Sequence, residues 1–342
     1  MTNPATNTKL LLAPFQGITD KLYRNCYAKH FEGIDVMYTP FVSGLGNVKI
    51  NPSKLKDLLP KNSNISDTVP QIISTDPGEI ILFSKAMQDN GYDHFNWNLG
   101  CPFSRIANKK RGCGILPFPD ELKSILDNIY KEDTIQISIK TRLGYYKNDE
   151  IFSILKMLDA YPLKNIILHP RTGLQLYSGE ANPELYKKCL DFTKHEMIYN
   201  GDIYNISQYK KMQQYIPTQQ SWMLGRGALL NPFLAMEIKG IVLSHDEKKK
   251  KLIEFHDDFL SVLKNNYNKN AKIIGRLKAV WKYMSGVFHN GENVFNIIKK
   301  CKSLEEYSVA VKTAFETDLA DDAGHSQYFN KSLKHIGSLA EE

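Results

Sequence analysis

The chain has little from which to build a covalent scaffold. Its five cysteines, at 26, 101, 113, 189 and 301, are odd in number, scattered, and form no C-x-x-C pair. That excludes a disulfide framework and a zinc knuckle, so no metal site is expected and a reducing cytoplasm is the expected location. No stretch approaches the ~18 apolar residues that a membrane helix needs. The opening MTNPATNTKLLLAPF has no basic start and too short an apolar run for a signal peptide, so neither membrane insertion nor export by that route is expected. Arginine is also scarce, with seven among 44 basic residues. In so lysine-rich a chain an arginine marks a place where a planar fork of donors is needed. Three of them, Arg142, Arg171 and Arg226, fall just after expected strands.

What is present describes a globular protein. Over 342 residues the composition is 42% hydrophobic and 24% charged, which is too apolar for disorder and long enough to bury a full core. Eight β-rich runs punctuate the first part of the chain: LLLAP (10–14), VMYTPF (36–41), VPQII (69–73), HFNWNLG (94–100), TIQISIK (134–140), NIILH (165–169), EMIYN (196–200) and SWMLG (221–225). Helix-length segments separate most of them, such as PGEIILFSKAMQDNG, with Gly91 as its stop, and PDELKSILDNIY, opening on Pro119. Eight such alternations predict an α/β fold, a closed (β/α)8 TIM barrel in preference to a doubly wound sheet. Residues 42–68, rich in Gly, Asn, Ser and Pro, make the second unit the least regular.

After GRGALLNPFL the β signal stops. DEKKKKLIEFHDDFLSVLK, AKIIGRLKAVWKYMSG and NVFNIIKKCKSLEEYSVAVKTAFE read as amphipathic helices. A boundary near 240 therefore divides a barrel, residues 1–240, from an all-α C-terminal region, residues 241–342. The net charge of +7 permits an anionic partner. Its distribution is local: residues 264–302 hold nine Lys or Arg against the single acid Glu292, whereas 303–342 are acidic.

In a barrel, the residues that follow each strand face the active site. Here they are Pro14, Phe15, Gln16 and Gly17, then Gln71, Asn98 and Cys101, Lys140 and Arg142, His169 and Arg171, Asn200, Gly201 and Asp202, and finally Gly225, Arg226 and Gly227. Each has a purely structural alternative: a solvated Lys140, a strand-capping His169, Cys101 as a small buried hydrophobe. Their common address argues for function. NGD and GRG stand where barrels bind phosphate, the glycines letting backbone N–H groups approach an anion. A Rossmann site is not expected, because GLGNVK and GRGALL lack the third glycine and its βαβ context.

In this order the motifs LLAPFQGITD, VPQI, NWNLGCP, IKTRLG, HPRTGLQLYSG, YNGDI and LGRGALLNP resemble the dihydrouridine synthase family, FMN-dependent enzymes that reduce specific uridines in transfer RNA. The resemblance spans residues 10–234, and GRLKAVWKYMS is similar to a basic helix of the family's C-terminal RNA-binding bundle. It implies FMN across the barrel mouth, with Pro14, Phe15 and Gln16 along the ring, Gln71 and Lys140 at its polar edge, and His169 beside it. Asn200, Gly201, Asp202, Gly225 and Arg226 would hold the ribityl chain and phosphate, and Asn98 and Cys101 would face the uracil. NADPH or NADH would be the reductant and a monomer is expected. Phe15, Asn96, Pro170 and GCGIL (112–116) depart from the family's usual Met, Asp, Gly and G-A-A-L-L, which leaves the target uridine open.

The chemistry suits these residues. A hydride added at uracil C6 leaves negative charge on C5 and O4, and a proton must reach C5. A thiol with a pKa near ~8.5 still carries its proton at neutral pH, which gives Cys101 the role of acid. Lys140 would place a cation near the ring's N1/O2 edge. The target base must be extruded from its stack, and two basic elements could hold the RNA: the loop with Arg105, Lys109, Lys110 and Arg111, and the helix with Lys272, Arg276 and Lys278. The competing readings are a ribosomal RNA uridine, an FMN barrel acting on a free pyrimidine, an inactive RNA-binding relative, and a Schiff-base aldolase using Lys140.

Overall fold

A single proline sets the geometry by which the sheet closes. The computed structural model describes residues 8–46, 48–59, 68–132 and 136–321. Its strands are β1 (Lys9–Leu12), β2 (Val36–Tyr38), β3 (Thr68–Val69), β4 (Gln71–Ile72), β5 (His94–Leu99), β6 (Gln136–Gly144), β7 (Ile166–Thr172), β8 (Met197–Tyr199) and β9 (Ser221–Leu224). All pair in parallel, in the order β3-β2-β1-β9-β8-β7-β6-β5-β4. The two ends of that order are consecutive in the chain, separated only by Pro70, which has no N–H to give to a ladder. Across the break, Val42 N donates to Gln71 O and Asn96 N to Pro70 O. β3 and β4 are thus one interrupted stave, the run VPQII, and the eight expected staves form a TIM barrel.

Two strands run further than expected. β6 continues past Lys140 to Gly144 and β7 past His169 to Thr172, with a register shift between Arg142 and Gly144. Arg142 and Arg171 therefore lie within strands, not after them. The apolar runs end early because the inward positions of these two strands are polar.

Helices cover the barrel where capping residues start them. Asp76 caps Pro77–Asp89 through the N–H groups of Gly78 and Glu79, and Gly91 follows at φ +84°, a left-handed turn that suits glycine. The irregular second unit contains one short helix, Pro52–Leu55. Beyond residue 240 the helices are His245–Asn266, opened by a Ser244/Glu247 capping box, then Asn270–Met284, Gly291–Lys300 and Leu304–Glu316. The last expected run is two helices, divided at Cys301 and restarted by Ser303. Residues 322–342 of the expected helical region lie outside the described residues.

This helical region packs directly on the barrel. Phe255 meets Tyr23 at 5.9 Å and Phe31 at 5.1 Å between ring centroids, and each such buried ring contributes about 1.5–3 kcal/mol. Arg276 pairs with Asp20 at 2.6 Å and donates to Ile18 O at 3.1 Å. No helix among the described residues is long and apolar enough to cross a membrane.

Candidate active site

Inside the barrel the two halves differ. Leu11, Ala13, Val36, Tyr38, Val69, Ile167, Ile198 and Met223 form an apolar cluster from β1–β3 and β7–β9. On β4–β6 the inward positions are Gln71, Asn96, Asn98, Ser138, Lys140 and Arg142. Parallel register aligns them in layers: Gln71 opposite Asn96, Asn96 opposite Ser138, and Asn98 opposite Lys140 one step nearer the mouth.

These buried amides are hydrogen-bonded to one another. Gln71 Nε2 donates to Asn96 Oδ1 at 2.7 Å, Asn96 Nδ2 to Ser138 Oγ at 2.9 Å, and Asn98 Nδ2 to Gln71 Oε1 at 2.9 Å. Asn98 Oδ1 then accepts from the backbone N–H groups of Gly100 (3.0 Å) and Cys101 (2.9 Å), fixing the turn that carries the thiol. The turn is closed from behind by Cys113, whose N–H and Sγ both approach Cys101 O. Gly112, at φ +57°, makes this approach possible, since a Cβ there would lie 2.5 Å from Cys101 O. Burial raises the Cys101 thiol above its ordinary value, offset in part by a backbone hydrogen bond from Phe103 and by Arg142, Arg105 and Lys140.

Cations continue this wall through Lys140 and Arg142 on β6 to Arg171 on β7. Burial, reinforced by Arg142, lowers Lys140 to about 7. His169 is held well below its usual range by burial and by the surrounding charges of Arg142, Lys140, Arg171 and Arg226. Arg171 Nη1 lies 2.9 Å from His169 Nε2. Because a guanidinium can only donate, His169 is the neutral imidazole with its proton on Nδ1. Asp202 accepts from Arg171 through both oxygens, from Arg226 Nη2 at 2.7 Å, from Tyr204 Oη and from Ala181 N. Burial alone would raise its carboxyl, but the Arg171 hydrogen bond and the Arg226 charge outweigh it and hold it low.

Arg142 braces two loops. Its Nε donates to Gly100 O at 3.1 Å, and its Nη1 to Thr172 O and Leu176 O, both at 2.7 Å. Leu176 sits at φ +49°, a strained conformation for a side chain other than glycine. It carries the next residue, Tyr177, into the site, with the ring centroid 5.3 Å from the Arg142 guanidinium and 4.8 Å from that of Arg226.

These groups surround a cavity of about 460 Å³, bounded by Phe15, Gln71, Asn98, Cys101, Lys140 and His169 among others. A narrower arm of about 60 Å³ runs to Asn200, Gly201, Asp202, Gly225 and Arg226, sharing the walls Pro14, Phe15, Lys140, His169 and Tyr177. Gln16 and Arg105 are at the rim of the larger space. Arg226 Nη1 is buried in this region with no hydrogen-bond partner among the described residues. The C-terminal helix Asn270–Met284 closes one side through Ala279, Lys282 and Tyr283, and Tyr283 meets Phe15 edge-on at 6.0 Å.

Tyr177, Ala279 and Tyr283 were not among the expected site residues. Tyr177 lies within HPRTGLQLYSG, so the motif held the signal, whereas the two helical residues enter only through tertiary docking. The expected RNA-facing cations are dispersed. Lys109 and Lys272 are exposed and Arg111 is half-buried. Lys110 pairs with Glu121 at 2.5 Å, and Lys272 lies over the Tyr267 ring. Arg276 is committed to Asp20, and Lys278 Nζ donates to Cys301 O at 2.6 Å.

Comparison with known proteins converges on one family. The model described as Dihydrouridine synthase (Dus) matches residues 11–321. A tRNA-dihydrouridine synthase B from Pasteurella multocida is 28% identical, over 68% of this chain and 70% of its own length. A tRNA-dihydrouridine(16) synthase from Neisseria meningitidis is 26% identical over 93% of this chain and 98% of its own. A probable tRNA-dihydrouridine synthase from Rickettsia bellii is 24% identical over 90% and 98%. Among solved structures, histamine dehydrogenase from Rhizobium sp. 4-9 shares the fold, with a TM-score of 0.51 and 11% identity over 74% of this chain and 49% of that one.

Proposed function

The chain belongs to the dihydrouridine synthase family, and we propose that it reduces the C5=C6 bond of a uridine in transfer RNA to 5,6-dihydrouridine. The observation that carries this reading is the meeting of a protonated thiol, Cys101, and a buried lysine, Lys140, at one cavity whose narrow arm ends at an unpartnered guanidinium nitrogen. The relatives' printed names supply the RNA class.

The residues fit FMN. Arg226 Nη1 supplies an unused donor for a phosphate, Gly201 and Gly225 leave backbone accessible in the narrow arm, and Phe15 offers an apolar wall to a ring. Pro14, Gln16, Gln71, Lys140 and His169 would border the ring, while Asn200, Gly201, Gly225 and Arg226 would take the ribityl and phosphate end. Asp202 would act there by orienting Arg171 and Arg226, since its own acceptors are spent on them. When bound, FMN reduced by NADPH or NADH supplies the hydride that adds at uracil C6.

The chain's own residues do the remainder. Cys101 donates its proton to C5, and burial keeps that proton in place at neutral pH. Lys140, with a pKa near 7 and so readily protonated or neutral, answers charge that appears beside it. His169, neutral, offers Nδ1–H. The barrel, residues 1–240, is the catalytic unit and 241–342 the RNA-binding unit, which lends Ala279, Lys282 and Tyr283 to the cavity and covers the extruded base. Arg105, Lys109, Lys110, Arg111 and Lys272 contribute positive charge towards phosphates.

Mass spectrometry of fractionated RNA tests the reading. A strain lacking the gene should lose dihydrouridine at a defined transfer RNA position, restored by the wild-type gene and not by Cys101→Ala. Restoration by Cys101→Ala removes the thiol as acid. Dihydrouridine lost from ribosomal RNA alone, or from neither fraction, overturns the choice of substrate.

A further inference from the structure

Asn96 and Ser138 are fully buried and border neither cavity, yet they belong to the chain of hydrogen bonds that reaches Cys101. The chain has one consistent polarity, set at its cavity end. Asn98 Oδ1 has two lone pairs, and the N–H groups of Gly100 and Cys101 take both. Only its Nδ2 remains for other partners, so Gln71 must meet it with Oε1. Gln71 Nε2 is thereby turned away, and it needs an acceptor at a position no water reaches. Asn96 Oδ1 is that acceptor. The Asn96 Nδ2 then faces Ser138 Oγ, whose own proton goes to Phe95 O at 3.3 Å.

We infer that Asn96 is a positioning residue that fixes the amide orientations of Gln71 and Asn98, so that the Asn98 amide can offer only a donor to a ligand and holds the Cys101 turn in place. After the internal bonds are counted, Gln71 Oε1 keeps one lone pair, whereas Asn98 keeps one N–H and no acceptor. The Asn98 N–H matches a carbonyl oxygen on a ring edge. It opposes an amino group at that point, because two donors would face one another and Asn98 has no acceptor to offer. Applied to the proposed uridine reduction, on which this step rests, it favours a uracil carbonyl over the exocyclic amine of cytosine.

The test compares Asn96→Leu, of similar volume but without the acceptor, with Asn96→Asp, which keeps an acceptor for Gln71 whether or not it is protonated. Purified holoprotein is reduced by NADPH and then reoxidised by unmodified transfer RNA. Asn96→Leu should keep its flavin spectrum and reduction rate while kcat for RNA-dependent reoxidation falls by about tenfold or more at nearly unchanged KM. Asn96→Asp should restore kcat to within about threefold. A wild-type kcat for Asn96→Leu, or an Asn96→Asp as slow as Asn96→Leu, overturns the inference. So does a rise in KM alone. Should Asn96→Leu fail to fold, Asn96→Ser, too short to reach Gln71, takes its place with the same expectations. Iodoacetamide trapping of Cys101, read by peptide mass spectrometry, needs no RNA: the leucine or serine variant should react several-fold differently from wild type, and the aspartate variant should not. Turnover absent in wild type with this trapping difference intact would sink the uridine reading and leave the relay standing. Equal trapping in all variants would sink the relay.

Discussion

Two neighbouring thiols illustrate how position decides the role of a residue. Cys101 borders the cavity, while Cys113 is fully buried, raised to about 12 by desolvation, and spends its Sγ on Cys101 O. Only the first can reach a ligand. Lys140 shows the same effect on charge. Burial takes it from an ordinary 10.5 to about 7, so between those values the unfolded chain holds a proton that the native chain does not. Stability therefore falls as pH is lowered from 10.5 to 7 and changes no further with this group below 7, where both states are protonated. In flavin-free protein, the melting temperature of wild type relative to Lys140→Met should decline across that window as pH falls and level off beneath it. A difference that stays flat from pH 10 to 7 would mean that the ammonium is not desolvated.

At the scale of elements, the helix Asn270–Met284 uses one face for two tasks. Arg276 on Asp20 holds that face to the barrel, and Ala279 and Tyr283, three and seven residues further on, reach the cavity from it together with Lys282. Asp20 also caps Lys21–His30 by accepting from Tyr23 N. Arg276→Leu leaves a largely buried carboxylate without its cation, which costs about 1.5–3 kcal/mol. Denaturant titration should show that loss, and RNA-dependent KM should rise because the lining residues lose their anchor. Asp20→Asn combined with Arg276→Leu should cost less than the sum of the two. Strict additivity would show that the pair is not coupled. Much of this architecture could be read from the chain. The eight staves stood out as apolar runs bounded by turn residues, and even the break at Pro70 lay within one of them. The ends of β6 and β7 did not, because Arg142 and Arg171 point inward and polar inward positions imitate a strand end. Nor did the roles of Arg276 and Lys278, since a basic residue on an amphipathic helix reads as solvated until its partner, Asp20 or Cys301 O, is brought to it by tertiary packing.

For the molecule as a whole, the question is which of its cations an RNA could meet. Of the basic residues in 264–302, Lys264, Lys269, Lys272, Lys299, Lys300 and Lys302 are exposed, whereas Arg276 and Lys278 are tied internally and Lys282 borders the cavity. Local charge density in the sequence thus overstates the number of cations free to meet an anionic partner. Phosphate contacts release condensed counterions, so affinity should fall linearly with salt on a double-logarithmic plot, by a slope that counts the contacts. Neutralising an exposed contact, as in Lys272→Gln or Lys300→Gln, should reduce that slope by about one each and weaken binding to every RNA sequence alike. Arg276→Gln should leave the slope unchanged while lowering stability, because its guanidinium faces Asp20 and not the solvent. Filter binding of transfer RNA at a series of salt concentrations separates the two classes. An unaltered slope for Lys272→Gln, or a reduced one for Arg276→Gln, would reverse the assignment of surface and brace.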